Sequence, residues 1–293
     1  MKLSFLKKIK INFKPIIQTW IKLCGVAFSI VSVILIFVNW EDFGISNLWI
    51  KIAIFASLIL LMLIISVLCI ISLLKTNKIW ANGNNKLLAC YDDIFKISKK
   101  KEKKIVVIPV NDTLETIVDD AGDIMAPLVS KNTIHGKWIT FLKNNNIGAQ
   151  EIDGKIVRFV SKHDIHGEKI EKERGKDISY PIGTVIPVVF NKLPETTFYL
   201  LVISKFNENN QAFSNSSLIK ESVDCLLEYY DQSGQGDILY IPLIGTGRSR
   251  AGMNHEESYR LLKATILTNE KKIHGTVAIV VYKNDKDKIS IFK

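Results

Sequence analysis

The sequence predicts a three-layer α/β domain with a mixed sheet, preceded by an α-helical hairpin long enough to cross a membrane. Two apolar runs predict the hairpin: residues 16–38, whose one charge is Lys22, and residues 52–74, which carry none. After residue 105, short apolar runs alternate with amphipathic helical patterns, the signature of a layered α/β domain. A glycine-rich loop between a buried-strand pattern and a capped-helix pattern marks where such a sheet binds ligands.

Each apolar run exceeds the roughly 20 helical residues that a bilayer core requires. Lys22 lies near one end, where its ammonium can reach the headgroups. Trp20 and Trp40 flank the first run and Trp49 precedes the second, as interfacial tryptophans do. A cleaved signal is a poor alternative, because the first run is too long and Asn39, Trp40, Glu41 and Asp42 follow it without a small-residue cleavage site. Core helices of a soluble protein are disfavoured by length. Lysines set the orientation: Lys2, Lys7, Lys8, Lys10 and Lys14 precede the first run, and Lys75, Lys78, Lys86, Lys96, Lys99, Lys100, Lys101, Lys103 and Lys104 follow the second. The loop between carries Glu41 and Asp42 and no lysine before Lys51. Both termini are therefore expected in the cytoplasm, in a multi-pass protein of the inner or plasma membrane. The cysteines Cys24, Cys69, Cys90 and Cys225 form no CxxC pair, which fits a reducing compartment and argues against cysteine metal sites.

The expected organisation is a basic cytoplasmic stretch (1–15), a first span (16–38), an external loop (39–51), a second span (52–74), a basic juxtamembrane linker (75–104) and the α/β domain (105–293). Gly25, Ser29 and Ser32 in the first span, and Ala53, Ala56 and Ser57 in the second, are small enough for close helix association, although such spacings also arise by chance. In the linker, Leu87, Tyr91, Ile94 and Phe95 have helical spacing and predict a short amphipathic helix over 86–97. The lysines after it either attract anionic headgroups or form a solvated linker.

In the domain, residues 105–110 (IVVIPV) read as a buried strand. Residues 155–160, 182–190 and 198–204 (FYLLVIS) also read as strands. A helix follows over 216–230, with Ile219, Val223, Leu226, Leu227 and Tyr230 on one face. Residues 238–244 (ILYIPLI) are a further buried strand. Asn254 and Glu257 form a capping-box pair at the start of a second helix with Tyr259, Leu262, Ile266 and Leu267 inward. Residues 276–282 form a strand, and 289–292 an edge strand.

The stretch 241–252 (IPLIGTGRSRAG) carries the chemistry. It follows a strand and precedes a capped helix. Gly245 and Gly247 permit conformations closed to other residues. Successive backbone N–H groups there can cradle an anion. Thr246 and Ser249 add hydroxyls, and Arg248 and Arg250 add charge, a combination suited to a diphosphate. The plainer reading is a glycine-rich turn with solvated arginines. The stretch is neither a Walker loop nor a Rossmann fingerprint, since GxxxxGKS/T and GxGxxG are both missing, which weakens ATPase and dehydrogenase readings.

The order strand, IPLIGTG, loop, helix resembles the second phosphate loop of the macro domain, and the domain as a whole is expected to be macro-like. Residues 108–113 (IPVNDT) match that family's first strand and its Asn-containing loop near adenosine. Residues 198–204 match its central strand. The complete layout resembles the membrane effector of type II Thoeris anti-phage systems, through VNDTLETIVDD (110–120), NTIHGKWI (132–139), YPIGTVIPV (180–188) and IPLIGTGRSRAG. The resemblance implies an antiviral defence function. A TIR-domain partner makes an ADP-ribose-derived signal, the macro domain binds it, and the effector oligomerises and breaches the lipid bilayer. It implies no cofactor and no catalytic residue; the ligand is an ADP-ribose derivative, an amino-acid conjugate among the options. The region 116–123 holds one glycine where hydrolytic macro domains are Gly-Gly-rich, which favours a sensor over an enzyme.

By this mapping the candidate ligand residues are Asn111, Asp112, Ser204, Asn207, Gly245, Thr246, Gly247, Arg248, Ser249, Arg250 and Tyr282. Asn111 and Asp112 either touch adenosine or ribose, or shape a turn. Tyr282 either stacks on adenine or packs on the sheet. His135 reads as a loop-shaping residue bordering the cleft. His163 and His166 lie in a polar stretch without further ligands, so a loop is favoured over a zinc site. His255 falls in a helix's first turn, where positive charge is disfavoured. No nucleophilic set can be proposed. The net charge of +10 concentrates beside the spans and comes with no nucleic-acid motif, so nucleic acid is not an expected partner. Two rival functions are a membrane-anchored ADP-ribosyl hydrolase and a harmless membrane tether for ADP-ribosylated partners.

Overall fold

The computed structural model describes residues 2–119, 127–207, 211–234, 236–246 and 251–293, with side chains from Phe5 onward. The chain forms two compact units. One comprises Met1–Asn77 with Asn284–Lys293, the other Lys78–Lys283.

In the first unit, α1 (Lys2–Ile11) leads at Asn12 into α2 (Phe13–Phe37). A short turn, Trp40–Phe43, precedes α3 (Leu48–Leu68), which runs on as one π-helical turn, Cys69–Leu73. Phe13–Phe37 and Leu48–Leu73 are long and apolar enough to cross a membrane. Their side chains are largely uncovered; Phe37 is 82% and Trp49 is 76% exposed. The helices pack as a hairpin, with Trp20 Nε1 donating to the Ile59 carbonyl at 3.1 Å and Phe28 against Phe55 at 5.7 Å. Nothing lies within 4 Å of a Cβ built on Gly25, so this packing leaves that small-residue face unused.

In the second unit the strands are β1 (Thr76–Asn82, entering from the first unit), β2 (Asn85–Asp92), β3 (Lys104–Asn111), β4 (Glu168–Lys169), β5 (Ile178–Ser179), β6 (Val185–Phe190), β7 (Leu193–Phe206), β8 (Ala212–Phe213), β9 (Ile238–Pro242) and β10 (Thr276–Tyr282). The helices are α4 (Ile94–Ile97), α5 (Ile134–Asn144), α6 (Ala149–Lys162), α7 (Ser216–Ser233) and α8 (His255–Thr268). The main sheet runs β1-β2-β10-β9-β3-β7-β6. From β2 to β7 every neighbouring pair is parallel, and β6 adds an antiparallel edge. Val106, Ile108 and Val110 of β3 alternate onto one face, where they meet Trp138 and Leu142 of α5 and Ile152 of α6. The opposite face is held by α7, whose Ser222 Oγ donates to the Val202 carbonyl at 3.0 Å and whose Tyr229 meets Tyr199 edge-on at 5.2 Å.

Three local expectations are overturned. Residues 86–97 are not one amphipathic helix: Leu87, Ala89 and Tyr91 are buried in alternation, and β2 pairs in parallel with β10 from Lys86 to Asp92. The period is two, and only α4 remains helical. Part of the expected linker thus belongs to the sheet. Residues 155–160 lie in α6, not a strand, because Ile152, Ile156, Phe159 and Val160 fall on one helical stripe against the core. Residues 289–292 form no strand; Ile289 and Ile291 are instead buried within the first unit. In the lysine-rich stretch, Lys104 is turned inward, its Nζ donating to the Lys100 carbonyl at 2.6 Å, and Lys100 pairs with Asp92.

Candidate functional site

The chain leaves β3 toward β7 on one side, crosses by α7 to β9 on the other, and continues through α8 to β10. The connections after β3 and β9 therefore diverge. Adjacent parallel strands with diverging connections leave a crevice at their carboxyl ends, where α/β sheets take ligands. The described candidate residues Asn111, Asp112, Ser204, Asn207, Gly245, Thr246 and Tyr282 all come from the carboxyl ends of β3, β7, β9 and β10. Gly247, Arg248, Ser249 and Arg250 lie outside the described residues, as do Asp120, Ala121, Gly122 and Asp123 of the first loop.

Asn111 pairs with Ser204 across a register shift between β3 and β7. Its Oδ1 accepts from Glu115 N at 3.1 Å and its Nδ2 donates to the Leu128 carbonyl at 3.4 Å. Asn111 thus folds the first loop, which Val118 and Val129 close with a parallel bridge. Asp112 is 2% exposed. Its carboxylate accepts from Ser179 Oγ at 2.7 Å and Phe206 N at 3.1 Å, and its N–H donates to the Ser204 carbonyl at 2.9 Å. It ties β3, β5 and β7 together. Burial pushes its pKa above the ordinary carboxylate value, against those hydrogen bonds and the Lys172 charge. Asn207, exposed, accepts from Gln211 N at 2.8 Å just before β8.

Gly245 sits at φ +84°, and a Cβ there would run into Met253 and Ile219. Only glycine fits this turn. Thr246 follows, half-buried. Beyond the loop, Asn254 Oδ1 accepts from Glu256 N at 2.9 Å and Glu257 N at 3.0 Å, while Glu257 Oε2 accepts from Asn254 N at 2.8 Å. That capping box fixes where α8 begins, and Ser258 Oγ ties the helix back to the Ile244 carbonyl at 2.6 Å. Tyr282 is 42% exposed at the end of β10, with Lys137 Nζ 5.9 Å from its ring centre. Sheet packing and ligand stacking both fit its place at the carboxyl end of this interior strand.

The first loop is held from above by the segment around β4 and β5. Lys172 Nζ meets Glu115 Oε1 at 3.1 Å and lies 4.7 Å from the Phe206 ring centre. Lys176 N donates to the same Glu115 oxygen at 2.6 Å, and Lys176 Nζ donates to the Leu114 carbonyl and to Asp153 Oδ1, each at 2.6 Å. Thr116 Oγ1 donates to Asp153 at 3.0 Å, and Arg174 pairs with Asp119 at 2.8 Å. His135, in the first turn of α5, is buried beneath this loop. Desolvation, with the Lys176 charge, pushes its pKa down to about 3, so it is neutral. Gly136 beside it has no room for a Cβ, which would strike the Ser130 carbonyl.

The chain matches the family model described as Thoeris protein ThsA, Macro domain, over residues 88–282. It belongs to that family. The chain thus carries a ThsA-type macro domain preceded by two helices long and apolar enough to cross a membrane. Among solved structures, a macrodomain variant from Oceanobacillus iheyensis is 16% identical, with 75% of this chain and 94% of that chain covered and a TM-score of 0.47. A second variant of that macrodomain, with ADPR, is 18% identical over 74% and 94%, with a TM-score of 0.42. A macrodomain protein from Streptomyces coelicolor is 10% identical over 66% and 97%, with a TM-score of 0.36. Curated proteins gave no match.

In this ThsA-family domain, sequence reasoning missed the polar network beneath the first loop. Glu115, Asp153, Lys172 and Lys176 give no local signal. A buried lysine within 168–177 (EKIEKERGKD) is indistinguishable from its solvated neighbours until the fold covers it. His163 and His166 fall at the exposed end of α6, where His163 stacks on Phe159 at 4.0 Å. Among the described residues no cluster of His, Cys, Asp or Glu is placed to hold a metal ion.

Proposed function

We propose that the chain is a membrane-anchored sensor and effector of anti-phage defence. Its macro domain binds an ADP-ribose-derived nucleotide, an amino-acid conjugate being one option, made by a TIR-domain partner. The diphosphate lies on the loop from Gly245 to Arg250 and the adenosine toward Asn111, Asp112, Ser204, Asn207 and Tyr282. Binding favours an oligomer, and the gathered hairpins breach the bilayer from a cytoplasmic position. The observation that carries this reading is the family match over residues 88–282. The carboxyl-end crevice and the steric requirement for Gly245 support the ligand's place. The ligand gates the effector only if it binds the assembled state more tightly than the free one.

The test uses the full chain in lipid nanodiscs. Calorimetric titration with ADP-ribose and its amino-acid conjugates is run beside Gly245→Glu, which sets a carboxylate in the loop. Binding that the variant loses, with no ligand turnover, supports a sensor. Turnover makes the domain a hydrolase instead. Binding without ligand-dependent loss of membrane potential in cells makes it a tether. No binding by a folded chain sinks the nucleotide reading.

A further inference from the structure

Leu114 has φ +51° and is 1% exposed. Among the described residues two other non-glycine residues have a positive φ, Asn146 and Asp164, whose short polar side chains can hydrogen-bond locally to offset it. Leucine has no such means, and left-handed backbone disfavours it by about tenfold. Its surroundings must hold it there.

The strain sits in the turn that places two candidate ligand residues. Leu114 N donates to the Asn111 carbonyl at 3.2 Å, and Glu115 N donates to Asn111 Oδ1 at 3.1 Å. Asp112 lies inside this turn. What holds the turn comes from segment 168–177. Lys176 Nζ donates to the Leu114 carbonyl at 2.6 Å and to Asp153 Oδ1 at 2.6 Å. Glu115 Oε1 accepts from Lys176 N at 2.6 Å and from Lys172 Nζ at 3.1 Å. Gly175, at φ +84°, lets the segment come this close, because a Cβ there would strike Glu115 Oε1 and Leu128. Both partners in the contact thus have left-handed backbone, Leu114 in the loop and Gly175 in the segment that clasps it.

We propose that Lys176 and Gly175 are positioning residues for nucleotide binding. They hold Leu114 in its strained conformation and thereby keep Asn111 and Asp112 in place at the crevice. Without them the turn relaxes, and the binding-competent state becomes a minority. Apparent affinity falls with the fraction of chains in the competent state. This deepens the proposed function and rests on its placing of the nucleotide against Asn111 and Asp112.

The full chain in nanodiscs is titrated by calorimetry with ADP-ribose and its amino-acid conjugates, and its melting temperature is measured beside each titration. Four variants are compared: Lys176→Met, Gly175→Ala, Lys176→Arg and, as a control, Tyr230→Phe. The Lys176 and Asp153 side chains are 34% and 35% exposed, so Lys176→Met strands no buried charge. The Tyr230 hydroxyl donates to the Asp237 and His274 carbonyls at 2.7 and 3.0 Å, at the amino ends of β9 and β10 and so away from the crevice. Lys176→Met and Gly175→Ala should each bind about tenfold more weakly, the size of the released strain. Lys176→Arg keeps a charged donor and should bind nearly as the unaltered chain does. Tyr230→Phe should lower the melting temperature and leave affinity unchanged. An equal loss of affinity in Tyr230→Phe would tie binding to general stability and overturn the proposal. So would an equal loss in Lys176→Arg, or a loss in only one of Lys176→Met and Gly175→Ala, since both act on the same turn. Affinity lost in Gly245→Glu but kept in Lys176→Met and Gly175→Ala overturns this inference and leaves the nucleotide reading standing. An unaltered chain that binds none of the probes removes that reading, and this inference with it.

Discussion

Lys172 and Glu115 form an ion pair at 3.1 Å in which each side chain is 1% exposed. They lie on separate segments, and the pair presses one onto the loop that Asn111 organises. Removing one partner strands the other's charge out of water. Lys172→Met or Glu115→Ala should therefore destabilise the domain by about 3–5 kcal/mol. Replacing both should recover part of that loss only, because Lys176 N also depends on the Glu115 oxygen. Thermal unfolding of the full chain in detergent, for both single variants and the double, measures this coupling. Equal melting temperatures throughout would sink the argument.

Gly245→Ala tests the turn without adding charge. An L-residue at positive φ costs about 1–2 kcal/mol before any clash, and here Met253 and Ile219 stand in the way. The ends of those side chains can swing aside, but the backbone strain remains and loosens the loop, so nucleotide affinity should fall about tenfold while the melting temperature drops by a few degrees. Unaltered affinity in calorimetry would mean the ligand does not use this loop.

His135 predicts an acid limb. Its folded pKa is about 3, below its ordinary 6.5. Protons then bind the unfolded chain more readily than the folded one in that window. The stability tied to neutral His135 is complete above about pH 6.5 and is lost as pH falls toward 3, at up to about 1.4 kcal/mol per pH unit. His135→Gln should flatten that limb. A pH series of melting temperatures with the same slope in both proteins would assign acid sensitivity elsewhere.

Asn254→Ala removes the cap that starts α8. Both Glu256 N and Glu257 N lose their acceptor, and a loss of about 1 kcal/mol is expected. The capped end directly follows the glycine loop, so nucleotide affinity should weaken as well, by a smaller factor than in Gly245→Ala. Thermal shift and calorimetry on one preparation separate the two effects.

The strands β3, β7, β9 and β10 were legible because each is built on a short apolar run, as a parallel strand covered on both faces is. The sequence also located the glycine loop and the Asn254 cap, since both signals are local. β2 was misread for a physical reason. Leu87 and Tyr91 satisfy a spacing of four, which helix and strand share, and only the buried Ala89 between them distinguishes the two. α6 failed in the opposite sense: its β-branched residues suit a strand, but its tertiary contacts follow one helical stripe. The charged network beneath the first loop was illegible because burial of a lysine is decided by segments more than fifty residues away.

The pairing of Asn77 with Ile291 joins residues 214 positions apart. It also imposes an order in time. The spans emerge from the ribosome first, yet Ile289, Ile291 and Phe292, which complete their unit, are made only after the entire nucleotide domain. A chain whose synthesis halts partway would bear both spans and lack the contacts that finish them. Completion of the helical unit is thus a built-in record that the macro domain lying between its two parts in the sequence has already been translated.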